Sequence, residues 1–127
     1  MIQVTKRAIL PQKVVDSLKT DVSGSVVVHL AILRPSSGGQ KLVSIEYDMN
    51  KAAAEKELSQ IEGEIRTKWE VQDSSLCRRA GKLILGETIL IVAVSAPHRK
   101  EAFEACQYVV EQLRVMKSVK KREIYEQ

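Results

Sequence analysis

The residues of this chain that are best suited to chemistry are basic side chains placed where strands and helices are expected to end. They are Arg34, Arg78, Arg79, His98, Arg99, Arg114, Lys117, Lys120, Lys121 and Arg122. Cations at strand ends and at a helix N-terminus bind small anions, because the helix dipole and free N–H groups add to the side chains. The pattern predicts a site for an anionic ligand. Taken alone, the basic run at 117–122 is more typical of a solvated surface.

Other kinds of site have little support in the sequence. His29 and His98 lie far apart, and neither has a cysteine or a carboxylate pair beside it, so no zinc-type ligand spacing is present and we expect no metal. Gly38 and Gly39 form an isolated pair and are not part of a nucleotide-binding loop. We therefore expect the chain to work without a bound cofactor.

The cations at positions 98 and 99 depend on a predicted strand–turn–helix unit. Residues 87–95 form a nearly unbroken apolar run, which predicts a strand at the centre of a sheet with both faces covered. Ser95 is the expected N-cap of the following helix, with Pro97 in its first turn. His98 and Arg99 then lie in that turn. The apolar face of the helix comprises Ala102, Phe103, Cys106, Val109, Val110 and Leu113.

The remaining elements follow from apolar periodicity and turn residues. Strands are predicted at 2–4, 25–33 and 41–47, the last returning antiparallel to the one before it after a loop at 36–40. One or two more strands lie within 71–85, around the turn at Ala80 and Gly81. A short helix begins at Pro11, and a longer one is capped by Asp48 or Asn50 and ends near residue 69. This order predicts an α+β fold.

The composition is that of one domain over residues 1–127 with an aliphatic core, since 44% of the residues are hydrophobic and only 4% are aromatic. The net charge is +4, and acidic residues are interspersed with basic ones. This mixture argues against a general nucleic-acid binder. Cys77 and Cys106 show no paired spacing, and no secretory leader precedes them. We therefore expect a reducing, cytoplasmic setting without a membrane partner.

Several motifs, in the same order along the chain, resemble the large, catalytic subunit of molybdopterin synthase. The most specific is His-Arg-Lys-Glu-Ala-Phe-Glu-Ala at 98–105, which follows an apolar strand and a Gly-Glu turn at 86–87. The other matching segments are 24–34, 46–47, 66–69, 79–87, 113–114 and 121–123. The resemblance extends over most of the chain.

The resemblance implies an α/β hammerhead, an α+β fold with a mixed, mainly antiparallel sheet flanked by helices. It also implies transfer of sulfur from the C-terminal thiocarboxylate of a small ubiquitin-like carrier ending in Gly-Gly to cyclic pyranopterin monophosphate, which forms the dithiolene of molybdopterin. The implied assembly is a homodimer of this chain within a heterotetramer. Arg34, Arg79, His98 and Arg99 then hold anionic groups, within one chain or across the dimer interface. Lys121 matches a lysine that acts as base or nucleophile.

The chain departs from the family pattern at residues that bear on the chemistry. Arg114 stands where the family has a lysine, and a guanidinium keeps its proton and cannot act as an amine base or nucleophile. Lys117 lies one helical turn further along if the helix continues, and it then supplies an amine from the same face. The candidate catalytic residues are therefore Lys121, Arg114 and Lys117. Arg78 also replaces a histidine of the family pattern.

These departures leave a second interpretation open. The chain is then a divergent, non-catalytic relative that binds the carrier or acts as a scaffold, or a weak nucleic-acid binder that uses its basic tail.

Overall fold

The computed structural model describes residues 1–35 and 39–126, so residues 36–38 of the predicted loop lie outside the described residues. The strands are β1 (Ile2–Thr5), β2 (Ser25–Ile32), β3 (Leu42–Met49), β4 (Asp73–Arg79), β5 (Gly81–Ile84), β6 (Thr88–Ala96) and β7 (Val119–Tyr125). The helices are α1 (Pro11–Asp16), α2 (Lys51–Lys68) and α3 (Arg99–Leu113). Within the described ranges, no helix has both the length and the hydrophobicity needed to cross a membrane.

The larger of the two sheets has the strand order β1-β4-β6-β2. The prediction that β6 is an interior strand is confirmed. β1 pairs with β4 in parallel, whereas β6 is antiparallel to both β4 and β2. α3 packs against β6 and β2, and α2 packs beside α3 and against β1. A separate cluster, in which Ile9 and Val14 contact Cys77 and Ile91, joins α1 and the segment before it to the sheet.

The second sheet has the order β5-β3-β7, with both pairs antiparallel. Its own core contains Leu33, Leu42, Ile45, Tyr47 and Leu83. The prediction that β3 returns alongside β2 is therefore wrong. Neighbours in sequence often pair but need not, and here the apolar side chains of β3 are buried against β5 and the end of β2 instead. The α+β class with mainly antiparallel pairing is confirmed.

The turn between β6 and α3 differs from the prediction in its cap. β6 continues through Ala96, because β2 pairs with it as far as Ser25. The Ser95 hydroxyl donates to the carbonyl of Lys19 at 2.7 Å and so does not cap the helix. His98 is the N-cap residue instead, and its side chain makes no capping hydrogen bond.

The buried face of α3 is close to the prediction, but it is not identical. Ala102, Cys106, Val109 and Leu113 are buried as expected. Phe103 is 61% exposed, and Ala105 lies in the core instead. α2 follows its prediction, since the Asn50 side chain accepts a hydrogen bond from the Ala53 N–H at 2.9 Å.

Candidate active site

The two sheets meet at a cleft of about 510 Å³, which is also bounded by the C-terminal end of α3. The polar side chains that line it are His29 of β2, Tyr47 of β3, Arg78 of β4, Arg114 after α3 and Lys121 of β7. Three of these are cations, and no carboxylate of the described residues lines the cleft. The cleft is therefore electropositive and suited to an anionic ligand.

Lys121 is held in the cleft by strand pairing. It lies directly opposite Tyr47 in the β3–β7 register, and side chains of directly paired residues share one face of a sheet. Its side chain is 53% exposed, and its Nζ lies 3.1 Å from a carboxylate oxygen of Glu123. Lys121 is thus accessible to a ligand, and an anionic ligand would replace Glu123 as the partner of its ammonium group.

Arg34 reaches the same region through an adjoining groove of about 440 Å³. This groove contains Tyr47, Ile89, Arg114 and Lys121, which also line the cleft. Arg34 lies just after β2, and Arg114 is the residue that ends α3. Four of the cations singled out in the sequence are therefore brought together from distant parts of the chain, namely Arg34, Arg78, Arg114 and Lys121.

Arg78 lies at the bottom of the cleft and is only 5% exposed. One terminal nitrogen donates to the carbonyl of Leu113 at 2.8 Å, and its guanidinium lies 5.1 Å from the centre of the Tyr47 ring. Burial lowers the pKa of Arg78, while burial of Tyr47 raises the pKa of that phenol. Arg78 was among the cations named from the sequence, but the family resemblance gave it no binding or catalytic role. Its place beside Arg79 at the end of a predicted strand was the available signal, because neighbouring strand residues face opposite sides of a sheet and only one of the two can line the cleft.

Arg79 points away from the cleft. Its guanidinium is 2.9 Å from a carboxylate oxygen of Glu87 and also donates to the carbonyl of Lys82 at 3.3 Å. The side chain is 7% exposed. These contacts connect β4 to the turn before β6, so Arg79 has a structural contact here and does not line the cleft with the other cations.

The expectation that Lys117 takes the place of the family's lysine is not met by this geometry. α3 ends at Leu113, so Lys117 is not on a continuing helix. It lines a different groove between α2 and the end of α3, and its backbone N–H donates to Glu57 at 2.9 Å. Helical spacing placed Lys117 on the face of Arg114, and the early end of the helix removes that relationship.

His98 and Arg99 lie far from Arg114 within one chain, because they begin the helix that Arg114 ends. α3 has 15 residues, which corresponds to a length of about 22 Å. The described part of one chain therefore contains two separated cationic groups. One comprises the cleft, with Arg78, Arg114 and Lys121, and the adjoining groove with Arg34, and the other is the His98–Arg99 pair.

The described residues contain neither a metal-binding group of three or more His, Cys, Asp or Glu side chains nor a thiol in the cleft. Cys77 and Cys106 are both buried, and burial of Cys106 agrees with its predicted place on the apolar face of the helix. Burial raises the pKa of each thiol to about 11. Both thiols therefore stay protonated near neutral pH, and a thiolate is the form that carries sulfur chemistry.

Comparison with known proteins points to one family. A profile of the family described as MoaE protein matches residues 4–116. The molybdopterin synthase catalytic subunit of Bacillus subtilis is 32% identical over 124 residues, which are 98% of this chain and 79% of that protein.

Solved structures give the same result. The crystal structure of molybdopterin synthase from Staphylococcus aureus has a TM-score of 0.91 at 32% identity, over 97% of this chain and 90% of that chain. A protein–protein complex of subunits 1 and 2 of molybdopterin-converting factor from Helicobacter pylori contains a chain with a TM-score of 0.77. That chain is 13% identical, over 98% of this chain and 88% of its own length, and so it supports the fold alone.

The resemblance inferred from the residues at 98–105 is thus confirmed by the profile, the identity and the fold. This chain therefore belongs to the MoaE family, and its Bacillus subtilis relative is the catalytic subunit of molybdopterin synthase.

Proposed function

We propose that this chain is the large subunit of a molybdopterin synthase and transfers sulfur from a carrier thiocarboxylate to cyclic pyranopterin monophosphate. The observation that carries the proposal is that Arg114 and Lys121 line both the cleft and the adjoining groove that contains Arg34. Both substrates are anions, since one ends in a thiocarboxylate and the other bears a cyclic phosphate. A cleft lined by guanidinium and ammonium groups binds both.

In each transfer one carbon–sulfur bond replaces one carbon–oxygen bond of the pterin side chain, and one acyl–sulfur bond is hydrolysed. The thiocarboxylate sulfur attacks a side-chain carbon, and the oxygen bound there leaves as water or, where it belongs to the cyclic phosphate, stays on the phosphate as the ring opens. Water then cleaves the acyl–sulfur bond, so that the sulfur stays on the pterin and the carrier leaves with an ordinary carboxylate. A dithiolene contains two sulfurs, so each product needs two loaded carriers. Lys121 serves as base in this scheme, and the guanidinium groups of Arg34 and Arg114 hold the anionic groups.

His98 and Arg99 enter the proposed site from a second copy of the chain. β2 is an edge strand, and its outward residues Val26, Val28, Leu30 and Ile32 are between 39% and 51% exposed. An uncharged edge of this kind is a favourable surface for pairing with another chain. In a two-fold antiparallel arrangement, the start of one β2 faces the end of the other. Ser25 pairs with Ala96 near His98, and Arg34 follows Ile32, so this arrangement brings the two cationic groups together.

The small partner is proposed to be a ubiquitin-like carrier whose Gly-Gly tail enters the cleft. The Helicobacter pylori structure is described as a complex of subunits 1 and 2 of molybdopterin-converting factor, which supports a two-subunit assembly here. A glycine tail suits the site because glycines have no side chains. The tail is therefore narrow, and its terminal thiocarboxylate is free to reach Lys121.

The test is product formation by the purified chain. The chain is mixed with cyclic pyranopterin monophosphate and a thiocarboxylated carrier, and molybdopterin is measured as its fluorescent oxidation product. The matched control is the same carrier with an ordinary C-terminal carboxylate, which has no sulfur to give. Conversion only with the thiocarboxylate supports the proposal, and no conversion with a carrier that binds would refute it.

Subunit mixing tests the two-chain site. Lys121→Ala and Arg99→Ala are each expected to be inactive as homodimers. A heterodimer of the two has one site with both changes and one with neither, so an equal mixture is expected to recover about one quarter of wild-type activity. No recovery after verified exchange of subunits would show that Lys121 and Arg99 do not act in a site shared between copies.

One observation favours the second candidate, a non-catalytic protein that keeps carrier binding. Arg114 lies in the cleft where the family pattern has a lysine, and the expected substitute, Lys117, lies in another groove. Tight carrier binding without sulfur transfer would select this candidate. The nucleic-acid alternative has less support, because the basic tail is mostly strand β7 and its Lys121 and Arg122 pair with Glu123 and Glu46.

A further inference from the structure

The connection from α3 to β7, residues 114–118, determines how two cations of the cleft are placed relative to each other. It begins with Arg114 and leads into the strand that carries Lys121. A short connection of this kind has few internal hydrogen bonds and takes its conformation from its neighbours. In this structure, Arg78 of β4 contacts Leu113 just before the connection and Met116 within it, and Glu57 of α2 contacts its far end.

Arg78 contacts the start of the connection and also the second sheet. One terminal nitrogen donates to the carbonyl of Leu113 at 2.8 Å and lies 3.8 Å from the sulfur of Met116. The same guanidinium lies over the ring of Tyr47, the direct strand partner of Lys121. A single buried side chain therefore touches the end of α3, next to Arg114, and β3, the strand that pairs with the Lys121 segment of β7.

Glu57 holds the far end of the connection from the opposite side. Its carboxylate accepts hydrogen bonds from the backbone N–H groups of Lys117 and Ser118 at 2.9 and 3.0 Å, and from the Ser118 hydroxyl at 2.6 Å. With this end held by Glu57, Arg78 is the side chain that connects the Arg114 end to the second sheet.

The contacts of Arg78 are unusual for a core residue. Its Nε is buried without a hydrogen-bond partner among the described residues. Within those residues no carboxylate lies within ion-pair distance of it, although Glu57 acts on it electrostatically from further away. The cost of burying a charge that is not directly paired offsets what its contacts contribute, so an apolar side chain of similar volume is expected to cost little stability. The effect of Arg78 on the geometry of the cleft is therefore separable from its effect on stability.

We propose that Arg78 is a positioning residue for sulfur transfer, which ties the end of α3 to the β3–β7 pair and thereby sets the separation of Arg114 and Lys121. This catalytic role rests on the proposed function. The tie, meaning the contacts of Arg78 with Leu113 and Tyr47, does not depend on it. Arg78 acts through these two cations in the proposal and not through a bond to substrate.

The experiment compares Arg78→Met and Arg78→Lys with a matched control, Arg66→Met, on the outer surface of α2. Arg78→Met is expected to lower kcat/KM on the order of 100-fold, since misplacement of catalytic groups by about 1 Å has effects of that size. Its unfolding midpoint is expected to stay within about 3 °C of wild type. Arg78→Lys should recover only part of the loss, because an ammonium cannot donate to Leu113 and also lie flat on Tyr47. Arg66→Met should leave kcat/KM unchanged.

A double-variant cycle distinguishes positioning from an independent role. In an Arg114→Ala background, Arg78→Met is expected to cost far less than it does alone, because the residue that it places is already absent. Equal losses in the two backgrounds would overturn the proposal. So would a loss of kcat/KM that comes only with unfolding at the assay temperature.

Hydrogen exchange tests the tie without reference to turnover. Amides of residues 114–118 are expected to exchange faster in Arg78→Met than in wild type or Arg66→Met, with α2 unchanged. Unchanged exchange at 114–118 would refute the tie even in an active enzyme. A wild-type chain that makes no molybdopterin would instead remove the proposed function, and with it the kinetic role of Arg78, while the exchange result still decides the tie.

Discussion

Replacement of Lys121 by alanine is expected to reduce kcat/KM for the cyclic pterin by more than about 1,000-fold. Opposite unit charges 4 Å apart attract by about 4 kcal/mol at an effective dielectric constant of about 20. Lys121 is 53% exposed and has Glu123 beside it, so solvent and this carboxylate screen its charge. We therefore assign about half of this attraction, ~2 kcal/mol, to the interaction of Lys121 with an anionic ligand. That share corresponds to roughly 30-fold in rate. Loss of a general base adds about 10²–10⁴-fold.

Lys121→Arg separates the two contributions. Arginine keeps the positive charge but not an amine that can exchange its proton, so this variant should retain the electrostatic share and lose the general-base share. Lys120→Ala is the matched control, because it removes the same charge one residue away, on the opposite face of β7. It is expected to leave kcat/KM nearly unchanged.

The assay is initial-rate formation of molybdopterin with saturating thiocarboxylated carrier, with carrier binding measured separately by calorimetry. Dimer formation and carrier binding should survive in Lys121→Ala, since the side chain is half exposed and most of its strand contacts are made by the backbone. A Lys121→Ala enzyme within about tenfold of wild type would refute the assignment of Lys121 as base. Full activity of Lys121→Arg would show that Lys121 acts only as a charge.

Three further changes have definite expected outcomes. Arg114→Lys should raise kcat in the same assay, because it restores an amine at the end of α3; equal or lower kcat would mean that the guanidinium is sufficient there. Gly24→Ala should lower the free energy of unfolding by about 1–3 kcal/mol in urea denaturation. The reason is that the added Cβ would lie 2.6 Å from the Pro97 carbonyl oxygen. Wild-type stability of this variant would show that the backbone there moves without cost. A hydrogen bond from a backbone N–H, with one from Arg79, lowers the pKa of Glu87 below its ordinary 4.5. The stability that ionised Glu87 contributes is present above pH 4.5 and is lost as pH falls through its lowered pKa. Glu87→Gln should therefore lose less stability than wild type as the pH falls below 4.5. Parallel stability profiles of the two proteins would show that Glu87 makes no such contribution.

Local patterns in the sequence were sufficient to predict most of the elements. The apolar run before residue 96 predicted an interior strand, and β6 is one. Asn50 was one of two predicted caps of α2, and its side chain does accept the capping hydrogen bond. Both signals come from residues close together in the chain, and periodicity and capping act over that range.

The errors have a common physical origin in contacts between distant residues. Ser95 was expected to cap α3, but pairing with β2 extends β6 past it. Lys117 was expected on the face of Arg114, but the helix ends where Arg78 donates to the Leu113 carbonyl. The residue pattern near 95 or 117 could not predict these effects. They are caused by contacts with β2 and β4, which are distant in the sequence.

The sequence by itself determined the family, the α+β class and a set of cations at the ends of elements. Only the tertiary structure decided which cations share a cleft, since Arg78 and Arg79 are adjacent and alike in type, yet one lines the cleft and the other pairs with Glu87. Neighbouring residues of β4 face opposite sides of the sheet, and the pairing of β4 with β1 and β6 decides which side faces the cleft. Those strands come from distant parts of the chain, so the local sequence does not contain this information.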